Sequence, residues 1–207
     1  MQTIFRETLM RHRWLAFALL LFLPLFTATA DTLEPEALLE RMQDGGLVIY
    51  WRHAATDRSQ RDTDLSDMSR CERQRNLNDD GREQARQVGT GFERHAIPVE
   101  RILSSPFCRN TESARIAFGE DRYEIREDLF NVPPVRDRER QQALVAALQD
   151  YLVTAPEDAA RNVVIVGHNI NLQRAARVRI DEGEIAVFVP GGDVPRFLGV
   201  LTPEDFD

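Results

Sequence analysis

The chain has 207 residues and a formal net charge of −8, and all 26 of its basic residues are arginines. An acidic chain lacks the clustered positive charge that a nucleic-acid backbone requires, which argues against a general nucleic-acid-binding protein. The length allows one domain with a hydrophobic core once an amino-terminal leader of about 30 residues is set aside.

The amino-terminal segment has the layout of a secretory signal peptide. A positively charged start precedes an apolar run over residues 14–26, and Ala28 and Ala30 follow with the spacing of a cleavage site. The apolar run is short for a membrane-spanning helix, although an uncleaved anchor is the alternative. We therefore expect residues 1–30 to be a signal peptide and residues 31–207 to form one domain. The mature protein is then periplasmic or secreted, with no membrane span.

The chain contains two cysteines, Cys71 and Cys108. The oxidising environment of an exported protein permits a disulfide between them. Two free, partly buried thiols are the alternative, and sequence spacing does not decide between the two states.

Segments of helical and β-strand character alternate along the chain. Helices are predicted over residues 33–42, 77–97, 108–119, 141–153 and 169–178, and β-prone segments lie at 47–51, 99–106, 123–125, 162–168, 184–190 and 196–202. A long polar loop, rich in aspartate and arginine, occupies residues 56–76. The alternation predicts an α/β fold with three layers, in which helices cover both faces of a mainly parallel central sheet.

Polar residues follow three of the predicted strands. Arg52 and His53 end the first strand, Arg109 lies at the start of the helix after the second, and His168 ends the fourth. Because the carboxyl ends of parallel strands meet at one edge of a sheet, we expect these four side chains to converge. Taken singly, His168 is also compatible with a structural histidine, and Arg109 with a surface arginine.

Two arginines and two histidines suit the chemistry of a phosphoryl group. Guanidinium groups bind phosphate oxygens through paired N–H donors, and the amino end of a helix adds backbone N–H groups. A neutral histidine can attack phosphorus to form a phosphohistidine, and flanking arginines favour the neutral imidazole. The second histidine can donate to the equatorial oxygens. This scheme requires neither a metal nor a cofactor.

Four motifs in order, "WRHAAT", "LNDDGREQARQVG", "ILSSPFCRNTESA" and "VVIVGHNINL", resemble the histidine phosphatase superfamily and its phosphoglycerate-mutase-like fold. The resemblance covers residues 47–178. It implies that His53 is the phosphorylated nucleophile and that Arg52, Arg109 and His168 complete the phosphate pocket. The leader and the cysteine-containing loop are most similar to a small exported branch that includes lipopolysaccharide core heptose phosphatases. Thr56 matches a small polar position near the phosphate.

The proton donor departs from the family pattern. Many members carry the acid in a Leu-x-Glu motif after the third strand, and this chain has Glu127 in an Ile-x-Glu context with Asp128 beside it. In acid phosphatases and phytases the acid follows the second histidine, where this chain has Asn169. Three alternatives therefore stay open: Glu127, Asp128 or no donor.

The resemblance implies an exported phosphatase that hydrolyses a phosphomonoester through a phosphohistidine on His53. Arginines in the loops suggest a multiply anionic small substrate, such as a phosphorylated sugar: Arg58, Arg61, Arg136 and Arg138. The alternative is a catalytically weak phosphate-binding or envelope-associated protein on the same fold. Mutase activity fits less well, because a glycolytic intermediate is scarce outside the cytoplasm.

Overall fold

The computed structural model describes residues 32–207, so the predicted signal peptide lies outside the described residues. Five α-helices are described: α1 Pro35–Gln43, α2 Asp79–Arg94, α3 Cys108–Phe118, α4 Arg138–Val153 and α5 Asn169–Ala176. The six strands are β1 Val48–Arg52, β2 Val99–Ser104, β3 Glu124–Ile125, β4 Asn162–Gly167, β5 Ile185–Val189 and β6 Arg196–Leu201. None of the helices between residues 32 and 207 is long and apolar enough to cross a membrane.

The strands form one sheet in the order β3-β2-β4-β1-β5-β6. The first four strands of that order run parallel, while β5 pairs antiparallel with both β1 and β6. The predicted, mainly parallel sheet is therefore confirmed. Strands β1, β4 and β2 are neighbours, so their carboxyl ends lie side by side at the same edge.

Hydrophobic residues pack on both faces of this sheet. Alternate residues of β1 point to opposite faces: Ile49 and Trp51 pack with α1 and α2, whereas Val48 and Tyr50 pack with α4 and α5. The three-layer arrangement is confirmed. The leucines of α4 that are spaced four residues apart are all buried, as their helical spacing predicts: Leu144, Leu148 and Leu152.

The ends of three helices are set by capping and backbone conformation. Asn78 caps α2 by accepting a hydrogen bond from the Gly81 backbone N–H at 2.8 Å. Helix α4 begins at Arg138, earlier than predicted, because Asp137 caps it. Helix α5 ends two residues earlier than predicted, because Arg177 has a left-handed backbone with φ of 60°.

Candidate active site

Strand β1 ends at Arg52 and delivers His53 into the interior, where only 2% of this histidine is exposed. The His53 Nδ1 atom lies 2.9 Å from the carbonyl oxygen of Ala54. A carbonyl only accepts hydrogen bonds, so Nδ1 carries the proton and Nε2 keeps its lone pair. The local backbone therefore sets the tautomer that a nucleophilic imidazole needs.

His168 directly follows β4 and faces His53 across the site. The two ring centroids are 5.5 Å apart with an interplanar angle of 66°. The Ser105 hydroxyl, at the end of β2, lies 2.8 Å from His168 Nε2. When that hydroxyl donates, the imidazole proton resides on Nδ1, where it is available to a ligand oxygen.

Arg109 is held by the first turns of α3, and its side chain is 2% exposed. Two polar residues of α3 fix the helix against the strand ends. Asn110 Nδ2 donates to the Gly167 carbonyl at 2.9 Å, and Ser113 Oγ accepts from the Ala54 N–H at 3.1 Å. Gly167 and Ala54, which accept and donate these hydrogen bonds, are adjacent in the chain to His168 and His53. The two contacts therefore fix the position of Arg109 relative to both histidines.

Two carboxylates from loops bind the arginines. Asp62 accepts from Arg109 Nη1 at 3.1 Å. Glu182, which precedes β5, accepts from the Thr56 hydroxyl at 2.8 Å and pairs with Arg52 at 3.4 Å. These carboxylates partly neutralise buried guanidinium groups, whose desolvation would otherwise be costly.

Burial and nearby positive charge hold both histidines neutral. Burial is the main cause that lowers the pKa of His53 and of His168 well below 6.5, and the Arg109 charge lowers both further. Burial also lowers the pKa values of Arg52 and Arg109. Neutral imidazoles between guanidinium groups are the protonation state that phosphoryl transfer to histidine requires.

The Nε atoms of Arg52 and Arg109 are buried and make no hydrogen bond among residues 32–207. Buried polar atoms without partners are uncommon in proteins, and guanidinium N–H groups are donors that suit an anion. By contrast, no group of three or more His, Cys, Asp or Glu side chains in the described part is placed to hold a metal ion.

Cys71 and Cys108 form a disulfide, with their Cα atoms 5.6 Å apart. The bond connects the long polar loop to the first residue of α3, directly before Arg109. The disulfide alternative left open by the sequence is therefore the one found.

The four predicted pocket residues converge, but the candidate acids do not join them. Glu127 follows β3 at the same sheet edge, yet its side chain is exposed and forms no hydrogen bond or ion pair with any residue from 32 to 207. Asp128 accepts hydrogen bonds from Arg126 and Tyr151 instead. The arginines proposed for substrate binding are exposed: Arg58, Arg61, Arg136 and Arg138.

Several residues of the site were not predicted from the sequence. Ser105, Asn110 and Ser113 lie within the "SSPFCRNTESA" motif, so their proximity to Arg109 was a signal that could have found them. Asp62 and Glu182 lie in loops rich in charge, where residue type alone does not indicate which carboxylate will meet an arginine.

Part of the chain is similar in sequence to a known protein family. The profile of the histidine phosphatase superfamily (branch 1) matches residues 48–132. No curated protein matches the chain in sequence.

Several solved structures share the fold. The protein histidine phosphatase SixA, complexed with tungstate, has a TM-score of 0.53 and 17% identity, over 78% of this chain and 99% of its own. A mutant phosphoserine phosphatase from Entamoeba histolytica in complex with phosphoserine has a TM-score of 0.52 and 13% identity, over 77% and 98%. The α-ribazole phosphatase from Shigella flexneri has a TM-score of 0.51 and 15% identity, over 75% and 95%.

A phosphoglycerate-mutase-like sheet with two histidines and two arginines at the carboxyl ends of its strands defines a histidine-type phosphatase. Over residues 48–132, which include Arg52, His53 and Arg109, the chain is similar to the histidine phosphatase superfamily.

Proposed function

We propose that the protein hydrolyses a phosphomonoester through a phosphohistidine on His53. The observation that carries the proposal is the tautomer of His53, whose Nε2 keeps its lone pair. This histidine is buried beside His168 and near two arginines whose Nε donors have no partner among residues 32–207. Such an arrangement matches a nucleophile aimed at a bound phosphoryl group.

In the first step, His53 Nε2 attacks phosphorus and the bond from phosphorus to the ester oxygen breaks. The leaving alkoxide takes a proton from water or from an acid, and the phosphoryl group remains on Nε2. In the second step, water attacks phosphorus and the N–P bond breaks. This step returns the neutral imidazole and releases inorganic phosphate.

Arg52, Arg109 and His168 Nδ1 stabilise the charge on the three equatorial oxygens during both steps. The partial positive charge at the amino end of α3 adds to this stabilisation. Because these donors are held by packing and by hydrogen bonds, they need little reorganisation as charge develops.

We also propose that residues 1–30 direct export and are removed, which leaves residues 31–207 as the periplasmic or secreted enzyme. The disulfide supports this proposal, because such bonds persist mainly in oxidising compartments. Amino-terminal sequencing of protein recovered from its host should give a start near Asp31. An intact Met1 would contradict cleavage.

A phosphoenzyme trap tests the catalytic proposal. The protein is incubated with a labelled activated phosphate donor and quenched in base, and acid-labile phosphate is located by peptide mapping. We expect label on His53 and none in His53→Ala, which should also lose turnover of phosphate esters.

Absence of label, with the protein folded and the donor bound, would contradict the proposal. That result would favour the alternative of a catalytically weak phosphate-binding or envelope-associated protein. Because arginines are frequent in the loops, a phosphorylated sugar is the substrate class that we propose to test first.

A further inference from the structure

We propose that Arg75 binds a second anionic group of the substrate, so that the site favours phosphomonoesters whose leaving alcohol also carries a group such as a carboxylate. This inference rests on the function proposed above and names a specificity residue for it. Arg75 lies in the long polar loop, close to the pocket but outside the set of two arginines and two histidines.

Arg75 is joined to the pocket through Glu182. Its Nη2 atom lies 3.6 Å from Glu182 Oε1, the same oxygen that pairs with Arg52 Nη2 at 3.4 Å. The Arg75 charge also contributes to the lowered pKa values of His53 and His168, which places its field on both catalytic candidates. The Arg75 side chain is therefore close to the residues that we propose bind the phosphoryl group.

The backbone of Arg75 is fixed on both sides. The preceding residue, Gln74, is buried, and its Oε1 accepts from the Cys108 N–H at 3.0 Å. The following residue, Asn76, donates from Nδ2 to the Cys71 carbonyl at 2.8 Å. The disulfide closes the same region covalently. A guanidinium group on such a rigid segment loses little conformational freedom when it binds an anion.

The exposure of the three arginines orders them by depth. The side chain of Arg109 is 2% exposed, that of Arg52 is 17% exposed and that of Arg75 is 31% exposed. Since His53 is buried with the two deeper arginines, the reacting phosphoryl group belongs with them. Arg75, the most exposed of the three, is then placed to meet the part of the substrate beyond that phosphoryl group.

The Arg75 guanidinium has donors to spare. Within residues 32–207 it forms the ion pair with Glu182 and no hydrogen bond. Its backbone, not its side chain, serves the pocket structurally: the Arg75 N–H donates to Asp62 at 2.9 Å, and the carbonyl accepts from Arg109 at 3.2 Å. A substitution of the side chain can therefore preserve these contacts.

Binding to a protein that cannot turn over tests the inference independently of catalysis. We would titrate His53→Ala, alone and combined with Arg75→Gln, with phenyl phosphate and with its 2-carboxy and 4-carboxy derivatives by calorimetry. Arg73→Gln is the matched control, because Arg73 lies in the same loop with an exposed side chain. Arg75→Lys retains the positive charge and tests whether charge alone gives the preference for a carboxy derivative. Thermal unfolding checks that each variant folds.

We expect Arg75→Gln to weaken the binding of at least one carboxy derivative about tenfold and the binding of phenyl phosphate by less than about threefold. The first change is that expected for loss of one charge-assisted hydrogen bond. Arg73→Gln should leave the affinity for all three ligands unchanged, and Arg75→Lys should restore part of the preference for the carboxy derivative. Equal weakening of all three ligands, or no weakening of any, would overturn the inference. Turnover of phenyl phosphate by the unmodified protein is measured separately, so a failed phosphatase hypothesis is distinguished from a failed Arg75 assignment.

Discussion

The hydroxyl of Tyr50 contacts the backbone of His168 on two atoms. It accepts from the His168 N–H at 2.8 Å and donates to the His168 carbonyl oxygen at 3.0 Å. Gly167 makes room for this contact, because any Cβ there would overlap the phenol. Tyr50 thus fixes the start of the segment that carries the second histidine.

We expect Tyr50→Phe to lower kcat about tenfold or more, because small displacements of a catalytic group are costly. The free energy of unfolding should fall by about 1–3 kcal/mol, since the buried His168 N–H loses its partner. Steady-state kinetics and urea denaturation measure the two effects. Tyr151→Phe is the matched control; it removes a hydrogen bond to Asp128 and should leave kcat nearly unchanged. An unaltered kcat in Tyr50→Phe would refute a positioning role.

The neutral histidines predict how stability depends on pH. Their pKa values lie well below 6.5 in the folded protein, mainly because of burial, whereas each imidazole protonates near 6.5 in the unfolded chain. Below that pH the unfolded state binds more protons. The free energy of unfolding should therefore fall as pH drops below 6.5, by up to about 1.4 kcal/mol per pH unit for each histidine.

Denaturation with urea at pH values between about 8 and 5.5 measures this slope above the main range of carboxyl titration. His53→Asn should show a shallower slope than the unmodified protein, because one of the two proton-binding differences is gone. An equal slope in the two proteins would mean that His53 is not held neutral by the fold.

Residue-level sequence reasoning identified the four groups that strand ends bring together, and all four converge. It did not identify Asp62, Arg75 or Glu182. These residues lie in loops, and their contacts depend on the path of the chain between elements, which hydrophobic periodicity does not encode.

At the scale of elements, the disulfide links the polar loop of residues 56–76 covalently to the first residue of α3. The loop supplies Asp62 to Arg109 and orders Arg75, so its attachment supports the geometry of the pocket as well as stability. Cross-linking residues that are 37 apart in sequence restricts the unfolded chain appreciably.

The double substitution Cys71→Ser with Cys108→Ser should lower the free energy of unfolding by about 2–4 kcal/mol. We also expect a raised KM, because the loop that holds Asp62 becomes more mobile. Denaturation and kinetics with and without a thiol reductant measure both effects. The KM of the double variant should not change when reductant is added. If reductant also leaves the KM of the unmodified protein unchanged, the link between the loop and the pocket is contradicted.

The predicted helices and strands are all present, and the errors lie at their ends. Helix α4 starts early because Asp137 caps it, and α5 stops at the left-handed Arg177. Capping depends on one side chain and one backbone angle, whereas helical periodicity is spread over many residues, so the body of a helix is easier to predict than its boundary.

At the scale of the molecule, strand order decides which groups can reach the pocket. The alternation of elements predicted a parallel sheet and its site-bearing edge. It did not predict the antiparallel pairing of β5 and β6, nor that β3 lies at the sheet margin beyond β2. Strand partners are chosen by packing over the whole fold, which a local pattern does not specify.

The marginal position of β3 bears on the proton donor. A general acid must come within hydrogen-bond reach of the leaving oxygen, and it accelerates reactions by about 10²–10⁴-fold. Because Glu127 is exposed beside an edge strand and its side chain forms no hydrogen bond or ion pair within residues 32–207, we expect Glu127→Gln to slow hydrolysis of an alkyl phosphate by less than about threefold. Rates for alkyl and aryl phosphates measure this. A loss of two orders of magnitude confined to the alkyl ester would identify Glu127 as the acid.

The central place of β1 also has a consequence for the kinetics of folding. Val48 of β1 pairs with Val163 and Phe188. Strand β1 therefore cannot complete its pairing until residues more than a hundred positions further along the chain have folded against it. Long chain closures of this kind slow folding, because entropy is lost before contacts compensate it. Until β4 and β5 arrive, the apolar run from Leu47 to Trp51 stays uncovered and open to chaperones or to aggregation. The strand that presents His53 is thus the one whose pairing requires nearly the whole domain.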